Sequence, residues 1–378
     1  MRTAGIICEY NPFHLGHQYQ IAKLREKLGQ DTAVICLMSG NYVQRGEPAV
    51  FDKWSRAESA IRRGADLVLE LPITTAVNAG GYFAAGAVRY MEALGGADYL
   101  CFGSECGDLA LLQKTAELLN GEAYEAELRK ALRDGISYAA ARSAALCNLG
   151  GDGSILESAN NALGVDYLRE MLRTGSNMKP ITVTRDMSLA SASAIRESMG
   201  EEKWLSHVPD KETAGTLPRH TLLNGERAML AVLRTLPDAA FEQMAFGSEG
   251  LWSKVMKACR REPGIMEIMM ACKSKRYAFS RIRRMLMCLF LGLGQTEMAL
   301  ESPYLRVLGF NDRGRELLRE ISGTSRLPLV SGAVPKTAAA KHYFALEQRA
   351  TDLYGLFAPP GAVPVCGREK STPPRIII

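Results

Sequence analysis

One stretch near the N-terminus of this 378-residue chain limits its fold more than any other: Gly5-Ile6-Ile7-Cys8-Glu9-Tyr10-Asn11-Pro12-Phe13-His14-Leu15-Gly16-His17. The apolar run from Ala4 to Cys8 has the character of a strand buried on both faces, as in a parallel sheet. Asn11-Pro12 ends that strand and starts a turn. Beyond it, Tyr19, Ile21, Ala22 and Leu24 recur at the spacing of an amphipathic helix. Two imidazoles, His14 and His17, therefore stand at the mouth of a helix that follows the first strand. An α/β sheet binds its ligand there, outside the carboxyl end of a strand, against a helix N-terminus that favours anions.

Phosphate chemistry has a use for these residue types. In nucleotidyl transfer, negative charge builds on the α-phosphate and on the departing pyrophosphate, and positioned donors stabilise it. Histidines one helical turn apart point the same way and can reach neighbouring phosphate oxygens. Gly16 offers bare backbone on which a ribose or adenine ring could lie. The His-x-Gly-His arrangement resembles the signature of class I nucleotidyltransferases and class I aminoacyl-tRNA synthetases. The alternative is two histidines near a turn by chance, and the order strand, turn, helix favours the nucleotide.

The rest of the first half repeats the construction. Ala33 to Met38 forms a second apolar strand, closed by Ser39-Gly40-Asn41, and Tyr42 to Pro48 follows as a polar loop. Asp52 caps a helix through Trp54, Ala57, Ala60 and Ile61. Asp66 to Pro72 forms strand three, and Gly81 to Leu94 a helix. Strand four, Tyr99 to Phe102, ends in Gly103-Ser104-Glu105, and strand five is Lys179 to Arg185. This alternation predicts an α/β fold, a Rossmann-like, doubly wound parallel sheet. Leu109 to Leu146 reads as two covering helices, and Asn160 as the cap of a helix carrying Leu163, Tyr167 and Leu172. Asn160 and Asn161 also face the ligand edge. Arg45, Lys53 and Arg56 bring cations to that edge, where a solvated helix face is the competing role; Arg45 is favoured because it sits in a loop beyond a strand end. Ser191-Ala192-Ser193-Ala194-Ile195-Arg196 resembles a second nucleotidyltransferase signature, a serine turn and a basic residue closing on the phosphates.

At this length two domains are expected, with the boundary in the irregular stretch Trp204 to Arg219 around Pro209 and Pro218. The reading is 1–205 for an ATP-binding domain, 220–358 for a mainly α-helical basic domain, and 359–378 for a loosely ordered tail. A net charge of +5 permits a nucleic-acid partner without establishing one. Nine scattered cysteines without zinc-like spacing predict reduced thiols and no metal site. The most apolar stretch, Met285 to Leu293, is too short to span a bilayer, so no membrane association and a cytoplasmic location are expected. Lys273 to Arg284 contains no acid and interleaves basic residues with Tyr277 and Phe279. A solvated face and an RNA-binding surface are both compatible with it.

Taken together, these segments resemble the bacterial tRNA-Met cytidine acetate ligases. The likeness is carried by the opening motif, by Met38 to Ala49, by Phe102-Gly103-Ser104-Glu105 and by Asn160 to Gly164. Lys275 to Arg284 and Tyr304 to Phe310 add to it, so it covers nearly the whole chain. The resemblance implies that ATP activates acetate as acetyl-adenylate, and that the acetyl group passes to N4 of the wobble cytidine in elongator tRNA-Met. It places ATP on Ile7, Cys8, Glu9, Tyr10, Asn11, Pro12, Phe13, His14, Leu15, Gly16, His17, Gln18, Tyr19 and Gln20, with Gly103, Asn160 and Arg185. His14, His17 and Arg196 would be catalytic, with Mg2+ screening the pyrophosphate. Arg45, Lys53, Asn161 and Ser193 would be further phosphate or substrate contacts. Lys273, Lys275, Arg276, Arg281, Arg283 and Arg284 would meet the tRNA, and no protein partner is implied. Two departures stand out: Leu15 replaces a usual asparagine, and only Asp186 to Ala190 separate Arg185 from the serine turn. Two alternatives stay open at this point, a nucleotidyltransferase for a phosphorylated small molecule and a nucleotide- or RNA-binding homologue without ligase activity.

Overall fold

The computed structural model describes residues 1–133 and 135–378. In its first half, β1 (Thr3–Cys8) leads to α1 (Leu15–Leu28), β2 (Ala33–Ser39) to α2 (Lys53–Arg62), and β3 (Leu67–Leu71) to α3 (Gly80–Leu94). After β4 (Tyr99–Ser104) three covering helices precede α4 (Ala159–Thr174), one more than expected. Then β5 (Lys179–Thr184) is followed by the short α5 (Ala192–Glu197). The five strands are parallel and ordered β3-β2-β1-β4-β5, the Rossmann arrangement. The chain winds outward from β1 to β3, then crosses back to β4, so a crevice opens where β1 and β4 diverge at their carboxyl ends.

Alternate residues of one strand build the two faces of the core. In β2, Ala33, Ile35 and Leu37 join the cluster under α3 and α4, while Val34, Cys36 and Met38 join the cluster under α1 and α2. Every residue of β2 is buried, which is why the run shows no hydrophobic alternation. Truncating such a side chain, Leu37→Ala for example, costs roughly 2–5 kcal/mol.

The second half packs a separate helical core around α6 (Phe279–Leu291), yet it is not helical throughout. β6 (Leu305–Phe310) adds to the sheet antiparallel to β3, and β7 (Leu329–Val330) pairs with β6. After α7 (Ala338–Tyr354) the C-terminal residues return to the sheet. β8 (Arg375–Ile376) pairs parallel with β6, opposite Gly309 and Phe310. The tail expected to be loose is thus tied down, because it carries a carboxylate that buried cations need.

That carboxylate is Glu369. Lys53 Nζ lies 2.7 Å from Glu369 Oε2 and 2.7 Å from Glu70 Oε2, and Arg306 Nε lies 2.7 Å from Glu369 Oε1. Tyr304 donates to Glu347 Oε2 at 2.6 Å. All these residues are buried. Burial, then the neighbouring Glu70 and Glu369 charges, push the Glu347 carboxyl up to about 8, so it holds a proton near neutrality. Lys53 is therefore no phosphate contact: its charge is consumed in joining α2, β3, β6 and the tail. Arg56 is buried likewise, donating to the carbonyls of Glu9, Ser39, Gly40 and Phe51. No helix among the described residues is long and apolar enough to cross a membrane.

Candidate active site

The turn after β1 is built from buried side chains. Tyr10, Asn11, Pro12, Phe13 and His14 are buried, whereas Ile7, Cys8, Glu9 and the residues from Leu15 to Gln20 are half-buried. Tyr10 and Phe13 pack edge-to-face, with ring centroids 4.8 Å apart, and both rings lie against His17. Asn11 is held by Val50, whose amide donates to its Oδ1 at 2.8 Å.

His14 is the N-cap of α1, a position more often taken by serine or aspartate. Its Nδ1 accepts from the Gly16 amide at 3.0 Å, and His17 Nδ1 accepts from the His14 amide at 3.3 Å. Accepting at Nδ1 fixes the proton of each neutral ring on Nε2. The rings lie close, with centroids 3.7 Å apart and planes tilted by 31°. Burial, with Arg185 and Arg196 nearby, lowers His14 to about 4; burial and the His14 ring push His17 well below the usual histidine range. The pair is thus two neutral Nε2–H donors set side by side. Gly16 is needed for this geometry, since a Cβ there would lie 2.8 Å from His14 Cε1. The bare backbone at that glycine thus makes room for the His14 imidazole.

Beside the histidines, Gly103 lies where β4 meets the crevice, and nothing within 3.9 Å would obstruct a Cβ on its open side. Past β4, Glu105 is locked to the start of α4. Asn160 Nδ2 donates to Glu105 Oε1 at 2.7 Å, the Asn161 amide donates to Oε2 at 2.9 Å, and Asn161 Oδ1 accepts from the amides of Glu105 and Cys106. Ser158, not Asn160, occupies the cap position of α4. Asn161 is buried in this exchange and is a fastener of the turn rather than a ligand contact. Arg185 Nη1 lies 3.4 Å from Glu105 Oε1, which ties β5 to the same turn. Asp186 accepts from Ser188 and closes the short segment before the serine turn.

The second signature reaches the first directly. Ser191 caps α5, and Arg196 donates to the Asn11 carbonyl at 2.7 Å and to Ser193 Oγ at 3.2 Å. His207 also lies close enough to bear on the His14 charge; no motif marks it in the sequence. His14, His17, Gly103, Asn160, Arg185, Ser193 and Arg196 thus come together around one crevice.

Residues Tyr42 to Pro48 form a short antiparallel hairpin instead of an open loop. At its turn Gly46 has φ +72°, and a Cβ would lie 2.6 Å from the Arg284 backbone. Arg283 Nε donates to the Arg45 carbonyl at 2.8 Å, Arg283 Nη1 lies 3.0 Å from Glu47, and Arg284 donates to the Gln44 carbonyl. On the other side the Gln44 amide donates to Glu9 Oε1 at 2.7 Å. Two arginines expected to meet RNA therefore brace the hairpin, and Arg281 is likewise engaged, with Glu249 and Ser248. Lys273, Lys275 and Arg276 remain exposed, as does Arg45 at the hairpin tip.

Comparison with known proteins matches this arrangement. The HIGH Nucleotidyl Transferase family profile matches residues 1–364. A tRNA(Met) cytidine acetate ligase of Acetivibrio thermocellus is 34% identical, over 94% of this chain and 94% of its own. That of Thermoanaerobacter sp. strain X514 is 37% identical, over 94% of this chain and 95% of its own. Among solved structures, Thermotoga maritima TmcAL bound with alpha-thio ATP superposes with a TM-score of 0.91 at 32% identity, covering 100% of both chains. With a Rossmann sheet, a paired-histidine turn and these relatives along nearly its whole length, the chain belongs to the HIGH nucleotidyl transferase family and, within it, to the tRNA(Met) cytidine acetate ligases.

Proposed function

We propose that this protein is an ATP-dependent ligase that acetylates N4 of the wobble cytidine in elongator tRNA-Met, acting in the cytoplasm. Acetate attacks the α-phosphate of ATP, pyrophosphate leaves, and the resulting acetyl-adenylate delivers its acetyl group to the cytidine amine. The observation that carries this reading is the histidine pair: two neutral Nε2–H donors, fixed by their own helix cap, at the crevice of a Rossmann sheet. Such donors stabilise charge on a phosphate without competing for its proton. Arg196 and Arg185 supply the positive field, and the open face of Gly103 leaves space for the nucleoside. The ATP analogue in the Thermotoga maritima structure and the names of the relatives support the same reading.

Mg2+ would accompany the pyrophosphate. Among the described residues no group of three His, Cys, Asp or Glu side chains could hold a metal, and in this reading the ion would be carried on the phosphates. The exposed Lys273, Lys275 and Arg276 of the helical part, with Arg45, are the cations free to meet the tRNA backbone. Incubation with ATP, Mg2+, labelled acetate and an unmodified elongator tRNA-Met transcript, followed by nucleoside mass analysis, tests the function. Acetylcytidine that requires both ATP and acetate is expected. ATP consumption with label in no nucleoside would refute the assignment.

A further inference from the structure

Acetyl transfer to cytidine needs a proton acceptor, and the crevice has few. The exocyclic amine of cytosine is conjugated with its ring and a weak nucleophile, so removal of a proton during attack matters more than it does for an alkyl amine. Neither His14 nor His17 can accept one: each Nδ1 lone pair is taken by a backbone amide, and each Nε2 already carries hydrogen. Glu105 is held through both oxygens by Asn160, Asn161 and Arg185, which keeps its carboxylate below the usual range and makes it a poor base. Glu47 is paired with Arg283.

Glu9 remains. It stands one residue past β1, at the carboxyl end of the strand where the crevice opens, and is half-buried. Its Oε1 accepts from the Gln44 amide, which aims the carboxylate, while its Oε2 makes no hydrogen bond among the described residues. The groups facing it are Arg196 from α5, Arg56 from α2, Glu47 from the hairpin, and Tyr167 from α4. Burial outweighs the two arginines and raises the carboxyl above its usual range, giving a stronger base than an ordinary carboxylate.

Resting on the ligase function proposed above, we infer that Glu9 Oε2 is the general base of the acetyl-transfer step. The cytidine N4 forms a bond to the acetyl carbonyl carbon while one N4 proton passes to Glu9 Oε2. The bond between that carbon and the phosphate oxygen breaks, and its electron pair leaves with AMP. Glu9 then returns the proton to solvent. Because the Gln44 amide holds both the carboxylate and the Arg45 hairpin, the base and a cation available to the RNA lie on one braced unit.

The test is single-turnover acetyl transfer from enzyme-bound acetyl-adenylate to tRNA, so that activation of acetate does not enter the rate. Glu9→Gln keeps an acceptor for the Gln44 amide and is expected to lower transfer by about 10²-fold or more. In the wild type the rate should rise with pH as Glu9 ionises and then level off; that limb should vanish in Glu9→Gln and survive, at a lower rate, in Glu9→Asp. A Glu9→Gln enzyme that transfers within threefold of wild type, or keeps the same pH limb, would overturn the inference. So would failure of Glu9→Gln to accumulate acetyl-adenylate, since Glu9 would then act before transfer. A wild type that forms acetyl-adenylate but no acetylcytidine would instead remove the ligase function on which the inference rests.

Discussion

Each histidine of the signature spends Nδ1 on a backbone amide and leaves its Nε2–H outside the helix cap. This division of labour has an observable consequence. Nitrogen NMR of labelled protein should find His14 and His17 as Nε2–H tautomers at pH 7, with His14 titrating near 4. Titration of His14 at the unperturbed value of about 6.5 would contradict the capping geometry. The sign for stability follows from linkage: the unfolded chain binds protons at these positions as pH falls through about 6.5, while folded His14 does not until about 4. Their contribution to stability is therefore present above that window and lost within it. The histidines could be singled out from the sequence because strand, proline turn and helix are local. The capping role of Nδ1 could not, since histidine is an uncommon N-cap and nothing in the spacing distinguishes one ring nitrogen from the other. Lys53, read as a further phosphate or substrate contact, is instead buried in an ion pair, and no local pattern could show this because its partner Glu369 lies 316 residues away.

Among the elements, the hairpin and α6 rearrange the basic stretch into two classes of cation. Arg281, Arg283 and Arg284 are internal braces, and burial lowers Arg284 to about 10. Lys273, Lys275 and Arg276 point outward. Replacing Lys275 and Arg276 with Glu should weaken tRNA binding and reduce the salt slope of log Kd by roughly two, while ATP affinity is retained. Replacing Arg283 and Arg284 with Ala should instead speed amide exchange at Gln44 by freeing the hairpin. If the two pairs of variants change tRNA affinity and Gln44 exchange alike, the division is wrong. The parallel strands were legible as uninterrupted apolar runs. β6 and β8 were not, because β6 carries the charged Arg306 as its second residue and β8 spans only two residues.

For the whole molecule, the buried ionic cluster fastens the tail and the helical half to the Rossmann sheet. Removing one partner strands buried charge, so Glu369→Ala is expected to cost roughly 3–5 kcal/mol in urea unfolding. A loosely ordered tail would make that substitution neutral. Glu347 works in the opposite pH sense to the histidines. Its folded carboxyl is raised to about 8, so the stability it contributes is complete below its ordinary range near 4.5 and declines as pH rises toward 8. Activation of acetate on ATP by the neutral histidine pair is best tested by acetate-dependent exchange of labelled pyrophosphate into ATP in the absence of tRNA. Exchange should require acetate and fall by about 10²-fold or more in His17→Ala, while unfolding shifts by only about 1 kcal/mol from the weakened cap. Exchange without acetate, or undiminished in His17→Ala, would contradict the account.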